Sequence, residues 1–259
     1  LNLGLCYENG TGVEQSYEKA IEYYQKSADL GNSDALINLG VCYANGTGVV
    51  QSYEKAIEYY KESALKGNSK AIYNLGVIYE NGTGVVQSYE KAIEYYNQSA
   101  EMGDSDALFN LGVLYEDGKG VVQSYEKAFE FYSKSANLSN PNALYNLGDM
   151  YENGKGTSQD YSKAIECYSK SAEFGNSNAL WMLGVCYDNG YGVEQDYKKA
   201  IEFYKESAKL GNSDALNCLG YSYENGNGVE QDMYKALKYY IQSAEKGNDK
   251  AQFNLGLMY

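Results

Sequence analysis

Hydrophobic and polar positions repeat along this chain with a period of 36 residues. Alanine marks the period at Ala35, Ala71, Ala107, Ala143, Ala179, Ala215 and Ala251, and a glycine follows each of them five residues later. No insertion disturbs the spacing. A fixed period of this length is typical of a solenoid, in which supersecondary units stack along one axis instead of surrounding one central core.

Each repeat predicts two α-helices. In the second helix of the first repeat, the residues that recur at helical spacing are Tyr17, Ala20, Ile21, Tyr24, Ser27 and Ala28. Ser16 precedes this helix as a predicted N-cap, and Gly31 follows it as a predicted left-handed residue. Ser or Asp occupies the cap position in every later repeat.

The first helix of each repeat is expected to begin at a position equivalent to Asn32. The one proline, Pro141, follows such an asparagine, and proline is favoured at the first helical position. The predicted core face of this helix is Ala35, Leu36, Leu39, Gly40 and Tyr43. A glycine in mid-helix costs about 1 kcal/mol against alanine, so the recurrence of Gly40 predicts two helices that cross too closely for a Cβ.

We expect the 259 residues to form a single array of seven full 36-residue repeats plus a partial first helix. Residues 1–7 match residues 253–259, so the chain starts and ends within a first helix and lacks the polar capping repeats of a free-standing solenoid. The array is therefore expected to be truncated at both ends and to be part of a longer protein or array.

The net charge of the chain limits the kinds of partner that we expect it to bind. Lysine supplies all 21 positive charges against 35 Asp and Glu residues, which leaves a net charge of −14. Basic side chains supply much of the affinity for nucleic acid, so we expect no nucleic acid partner and favour a basic protein segment instead. No apolar run approaches the ~18–20 residues of a membrane span, so no membrane insertion is expected.

The sequence offers little for catalysis. It has no histidine, and its five cysteines lack the spacing of a zinc site, so the usual bases and metal ligands are missing. We predict no catalytic residue, no metal and no cofactor. The odd number of cysteines predicts free thiols, which weakly favour an intracellular compartment, although a targeting segment outside this sequence would leave the localisation open.

The string Ala-x3-Leu-Gly-x2-Tyr-x-Asn-Gly-x-Gly-Val-x-Gln, which starts at Ala35, resembles the Sel-1-like repeat, a relative of the tetratricopeptide repeat. It recurs along all 259 residues. The chain departs from the family at Ser27 and its equivalents, where alanine is common, and it lacks the paired cysteines of the secreted branch. The resemblance implies an all-α, right-handed superhelical solenoid of helix-turn-helix repeats that serves as a protein-binding scaffold or adaptor. It also implies that the first helices line a concave groove.

Two adjacent positions of the first helix lie outside its predicted core and form the candidate partner-binding site. Its residues are Asn38, Tyr73, Asn74, Phe109, Asn110, Tyr145, Asn146 and Trp181. Amides offer a peptide backbone both a donor and an acceptor, and aromatic side chains are enriched in interface cores. The alternatives are that the amides bond neighbouring helices and that the aromatic rings pack between successive first helices.

A second candidate patch lies in the loops. Valine occupies one loop position in three consecutive repeats, at Val50, Val86 and Val122, where the other repeats have Glu14, Ser158, Glu194 and Glu230. A position that tolerates glutamate is expected to be exposed, so the three valines predict an apolar ridge of the kind that marks contacts. Isolated surface valines are also common and need no function.

We therefore predict a non-enzymatic scaffold that binds an extended peptide or protein segment in the groove. One alternative is a secreted relative with cell-wall or β-lactam hydrolase activity, which requires a buried Ser or Glu beside a base. Another is a purely structural spacer, which is expected to carry polar residues where this chain has aromatic ones.

Overall fold

The computed structural model describes residues 1–258, and all of its regular elements are α-helices. They form two compact units, unit 1 at Leu1–Ser124 and unit 2 from Tyr125 onwards. Helix pairs recur with the predicted period in each unit, which confirms the predicted all-α class of helix-turn-helix repeats.

Unit 1 contains seven helices. The first helices of its repeats are α1 (Asn2–Asn9), α3 (Ser33–Asn45), α5 (Ser69–Asn81) and α7 (Ser105–Asp117). The second helices are α2 (Tyr17–Asp29), α4 (Tyr53–Leu65) and α6 (Tyr89–Glu101). Within unit 1, α1, α3 and α5 pack against α2, α4 and α6 of their own repeats, and each of these second helices packs against the first helix of the following repeat.

Unit 2 contains eight helices with the same alternation. Its second helices are α8 (Tyr125–Asn137), α10 (Tyr161–Glu173), α12 (Tyr197–Lys209) and α14 (Met233–Glu245). Its first helices are α9 (Pro141–Asn153), α11 (Ser177–Asn189), α13 (Ser213–Asn225) and α15 (Asp249–Met258). The proline at the start of α9 follows the cap residue Asn140, as predicted.

The helix ends follow from local sequence. The hydroxyl of Ser52 accepts a hydrogen bond from the backbone N–H of Lys55 at 3.3 Å, and the carboxylate of Asp160 accepts the equivalent bond from Lys163 at 3.1 Å. These side chains satisfy donors that have no partner within the helix. At the other end, Ser139 takes the left-handed conformation, with φ 63°, that glycine has in the other repeats.

A buried tyrosine from each second helix explains the recurrent mid-helix glycine. An added Cβ on Gly76 would lie 2.6 Å from both Cδ1 and Cε1 of Tyr96, and a Cβ on Gly220 would meet the ring of Tyr240 at the same distances. The close approach predicted at this position is confirmed, and the neighbour is the tyrosine ring of the same repeat. Because the glycine has no side chain, the tyrosine ring can pack directly against the first helix.

In five repeats a buried serine ties the second helix to the first helix of the same repeat. Ser171 Oγ donates to the backbone carbonyl of Pro141 at 2.7 Å, and Ser207 Oγ donates to that of Ser177 at 2.7 Å. The acceptor is always 30 residues earlier, at the start of a first helix. The serine that distinguishes this chain from the family pattern therefore joins successive helices.

The predicted core face of the first helix differs from the structure at one position. Cys42 is almost fully buried, whereas the adjacent Tyr43 is only half-buried. The ring of Tyr43 stacks on Tyr59, with 5.5 Å between centroids, and the Lys55 ammonium lies 4.9 Å from its centroid. A large ring with a cation on one side stays at the edge of the core, and the small thiol takes the interior position.

Candidate protein-binding face

The side chains of the first helices that lie outside the core form one face in each unit, which we call the first-helix face. It consists of the positions equivalent to Asp34, Ile37, Asn38 and Val41. In unit 1 the predicted site residues on this face are Asn38, Tyr73, Asn74, Phe109 and Asn110, and in unit 2 they are Tyr145, Asn146 and Trp181. All eight are half-buried, so each contacts the helix stack and also presents surface.

Two of the asparagines on this face, Asn38 and Asn110, bond to buried tyrosines. Asn110 Nδ2 donates to the hydroxyl of Tyr96 at 3.1 Å, and that hydroxyl donates to Glu80 Oε2 at 2.5 Å. Asn38 is hydrogen-bonded to Tyr24 in the same way. The side chain at this position therefore continues a polar chain that starts at a carboxylate of the preceding repeat, and it stabilises the stack whether or not it also contacts a partner.

The aromatic side chains lie against the same tyrosines. The ring of Tyr73 is tilted against Tyr96 at 5.7 Å between centroids, and Tyr145 is placed likewise on Tyr168 at 5.8 Å. Trp181 Nε1 donates a weak hydrogen bond to Cys218 Sγ at 3.4 Å. These rings are held in fixed positions, and their ordering would add little to the cost of binding a partner.

Carboxylates surround these rings. Burial raises the pKa of Tyr145, and the neighbouring Asp149 and Glu152 raise it further because they disfavour a second negative charge. Burial and Asp106 act in the same direction on the pKa of Tyr73. A site that combines aromatic faces with negative charge is suited to a cationic side chain, which gains from both.

One row of the first-helix face is not among the site residues predicted from the sequence. The residues one turn after the asparagine-bearing position include Val41, which is 37% exposed, and Tyr221, which is 52% exposed. In unit 2 the row also contains Asp149, whose carboxylate pairs with Lys155 Nζ at 3.2 Å. The sequence signal for this row was that its positions lie outside the predicted core of the first helix. Along the row the residue changes from valine to aspartate and tyrosine, so the side chains of the first-helix face differ between repeats at this position.

The charge of the chain is divided unevenly between the helices. In unit 2 the first helices carry six Asp and Glu residues and one lysine, a net charge of −5, whereas the second helices carry seven Asp and Glu residues and ten lysines, a net charge of +3. In unit 1 the first helices also carry −5, from six acidic residues and one lysine, and the second helices carry −4, from nine acidic residues and five lysines. The first helices are therefore acidic in both units. On the first-helix face itself, Asp34 and Asp106 of unit 1 are opposed by Lys70, and Asp149 and Asp214 of unit 2 by Lys250, which leaves a net charge of −1 on the face of each unit.

The described residues hold no group of three or more His, Cys, Asp or Glu side chains placed to bind a metal ion. The five cysteines are free. Burial raises the pKa of Cys42 to about 11 and that of Cys186 to about 12, so these thiols stay protonated near neutral pH and are poor nucleophiles. Within residues 1–258, no helix has the length and apolar character to span a bilayer.

Comparison with known proteins matches the Sel1 repeat to residues 1–32, 33–68, 69–104, 105–140, 141–176, 177–212, 213–248 and 249–259. The chain is 37% identical, with a TM-score of 0.81, to a protective antigen with an SLR fold from uropathogenic Escherichia coli strains; the match covers 100% of this chain and 56% of that one. It is 29% identical, with a TM-score of 0.86, to a Sel1 repeat protein from Oxalobacter formigenes, over 95% of this chain and 99% of that one.

An immunity protein from Pseudomonas aeruginosa, at 22% identity and a TM-score of 0.54 over 84% of this chain and 83% of that one, shares the fold alone. The comparison with curated proteins finds no match. Together with the helix pairs, these structures confirm the predicted solenoid class.

Proposed function

Because the chain belongs to the Sel1 repeat family, whose members typically act as protein-interaction scaffolds, we propose that its first-helix face binds an extended, positively charged segment of a partner protein. The observation that carries this proposal is the charge division in unit 2, where the first helices have a net charge of −5 and the second helices +3. A cationic segment is attracted by the acidic first helices and repelled by the basic second helices, so this division of charge favours binding on the side of the first helices.

The side chains of the face provide contacts of three kinds. The rings of Tyr145 and Trp181 give a cationic side chain an aromatic surface. Carboxylates such as Asp149 and Asp214 supply the opposite charge, and the amide of Asn146 can bond a peptide backbone. An extended segment can reach all three because consecutive repeats present the same positions at regular intervals.

A pair of matched double variants tests this proposal. Asp106→Lys with Asp214→Lys reverses two charges on the first-helix face, and lysine already occupies the equivalent positions at Lys70 and Lys250. The control, Glu58→Lys with Glu94→Lys, reverses two exposed charges on second helices, where Lys238 is the natural precedent. Both variants change the net charge of the chain from −14 to −10, so non-specific attraction is equal.

The probe is an array of synthetic extended peptides with graded lysine and arginine content, followed by fluorescence anisotropy of the best binder. We expect the first-helix reversals to weaken binding about tenfold or more, since two charge pairs are replaced by repulsion, and the control to weaken it about threefold or less. Equal losses in both variants would show that the attraction is non-specific. Circular dichroism of all the variants checks that the helices are intact.

A further inference from the structure

The three loop valines, Val50, Val86 and Val122, form a repeated exposed row in unit 1, which we call the valine ridge. Each is 89% exposed. Leu30 and Leu65 are equally exposed but occupy different positions of the repeat. The position of Leu30 is apolar again at Met102, Leu138, Phe174 and Leu210, which are 48–56% exposed, but Lys66 interrupts that row in unit 1. We propose that the valine ridge is a second docking surface, independent of the first-helix face, and that its occupant is a basic amphipathic helix of a partner protein.

The loops that carry the ridge are fixed before any partner binds. Gln51 Nε2 donates to the backbone carbonyl of Ala44 at 2.7 Å and to the hydroxyl of Tyr53 at 2.8 Å. The backbone N–H of Ser52 donates to the carbonyl of Tyr43 at 2.8 Å. These bonds close the loop on both sides of Val50, so its exposed side chain is presented with little remaining entropy to lose.

The loop of the next repeat is closed by the same bonds. Gln87 Nε2 donates to the carbonyl of Glu80 at 2.7 Å and to the hydroxyl of Tyr89 at 3.1 Å, and Ser88 N–H donates to the carbonyl of Tyr79 at 2.9 Å. The ridge is therefore a repeated rigid feature of the array.

The spacing of the ridge fits a helix. Side chains of equivalent helices in successive repeats reach one another, as Asn110 reaches Tyr73 and Tyr59 reaches Gln25. We therefore infer that equivalent loop positions are spaced by roughly the 8–10 Å that separates packed helices. Seven residues of an α-helix advance about 10.5 Å and return to nearly the same side. In an extended strand, residues three positions apart are also about 10 Å apart, but their side chains point to opposite faces. Apolar residues spaced by seven on a partner helix therefore match the ridge, whereas those of a strand do not.

The charge beside the ridge selects a basic partner. The second helices of unit 1 that follow a ridge loop are α4 and α6, which begin two residues after Gln51 and Gln87 and carry six acidic residues and three lysines, a net charge of −3. The carboxylate of Glu90 accepts a hydrogen bond from Ser88 Oγ at 3.0 Å, which places it at the end of the Val86 loop. Hydrogen bonds from its own backbone N–H and from Ser88 lower the pKa of Glu90, so it stays ionised beside the ridge.

The corresponding edge of unit 2 has the opposite character. Ser158, Glu194 and Glu230 replace the valines, and the helices that follow them, α10, α12 and α14, carry five acidic residues and eight lysines, a net charge of +3. The apolar row and the acidic helices therefore occur together in unit 1 and are both missing from unit 2. Because of this contrast within one chain, we place the docking surface on unit 1. The same contrast indicates a partner helix with one apolar stripe and basic flanks.

The test uses a synthetic three-heptad helical peptide, with leucine spaced by seven and lysine on the flanks, and its acidic counterpart with glutamate in place of lysine. The variant is Val50→Glu with Val86→Glu and Val122→Glu, which the fold accommodates because Glu14, Glu194 and Glu230 occupy the same position elsewhere. It makes the net charge −17 instead of −14. Non-specific attraction of the basic peptide must then increase, whereas docking on the ridge must decrease.

By fluorescence anisotropy we expect the basic peptide to lose about tenfold or more in affinity for the glutamate variant, and the acidic peptide to bind neither protein. A variant with serine at the three positions, as at Ser158, preserves the charge of the chain and should lose affinity to a similar extent. Unchanged or increased affinity in the glutamate variant would overturn the proposal. The Asp106→Lys and Asp214→Lys double variant should retain affinity for this peptide to within about threefold, which separates the two surfaces.

Analytical ultracentrifugation of the peptide-free protein tests a different occupant. If the wild type self-associates and the glutamate variant is monomeric, the ridge is an interface between copies of this chain and a partner helix is not its occupant. We expect both to be monomeric.

Discussion

Replacing Gly76 by alanine tests the contact that sets the helix spacing within each repeat. The added Cβ would lie 2.6 Å from two carbons of the Tyr96 ring. The ring cannot move aside easily, because it is fully buried and its hydroxyl donates to Glu80 and accepts from Asn110. The repeat must therefore either separate its two helices or break these hydrogen bonds.

The expected cost is a difference of two terms. Overpacking of a close-packed core costs about 1–3 kcal/mol, and alanine regains about 1 kcal/mol of helix propensity relative to glycine. If the overpacking cost lies in the upper part of its range, the free energy of unfolding should fall by about 1–2 kcal/mol. This change lowers the melting temperature of a chain of this size by about 2–8 °C.

Thermal unfolding followed by circular dichroism at fixed protein concentration measures the change. The matched control is Gly256→Ala in α15, where an added Cβ meets no atom within 4 Å, so propensity acts alone and the melting temperature should not fall. A second control is Gly76→Ala in a Tyr96→Ala background, where the ring is gone and alanine should cost nothing. An equal loss of stability with and without Tyr96 would refute the steric explanation.

Three further changes test other contacts. Ser139→Gly should raise the free energy of unfolding by about 0.5–1 kcal/mol, because a left-handed serine costs more than the added chain entropy of glycine; a urea titration that shows a loss would contradict this. Ser171→Ala should cost about 1 kcal/mol by the same assay, since it removes the buried bond to Pro141, and Ser171→Thr is expected to retain part of it. Burial raises the pKa of Glu152, although the hydroxyl of Tyr168 donates a hydrogen bond to its carboxylate. The protonated carboxyl therefore contributes to the free energy of unfolding at acid pH, and this contribution is lost as the pH rises through the raised pKa. Glu152→Gln should therefore gain stability relative to the wild type between pH 4 and pH 7, and an unchanged difference between the two proteins would exclude this titration.

The repeat period, the helix pairs and their caps could be predicted because each depends on residues close together in sequence. A serine before Tyr53 or an asparagine before Pro141 acts within one turn, and the periodicity multiplies every such signal. The fold class followed from these local patterns.

The role of these side chains could not be predicted because it depends on contacts between helices. The partner of Ser171 is 30 residues away, and that of Asn110 is 14 residues away. The sequence showed that an asparagine recurs at one position, but only the structure showed that its amide reaches a tyrosine whose hydroxyl is already bonded to a carboxylate. The division of charge also became visible only when each lysine and acidic residue was assigned to a helix.

The short sequence separation between the partners of these hydrogen bonds has a consequence for folding kinetics. The side-chain hydrogen bonds between helices described above join residues 14 to 37 positions apart, a small fraction of the 259 residues. Low contact order favours fast folding because little loop entropy is lost before a contact forms. A repeat pair can therefore nucleate at many points along the chain and recruit its neighbours in either direction, so a segment emerging during synthesis can fold without waiting for residues still to come.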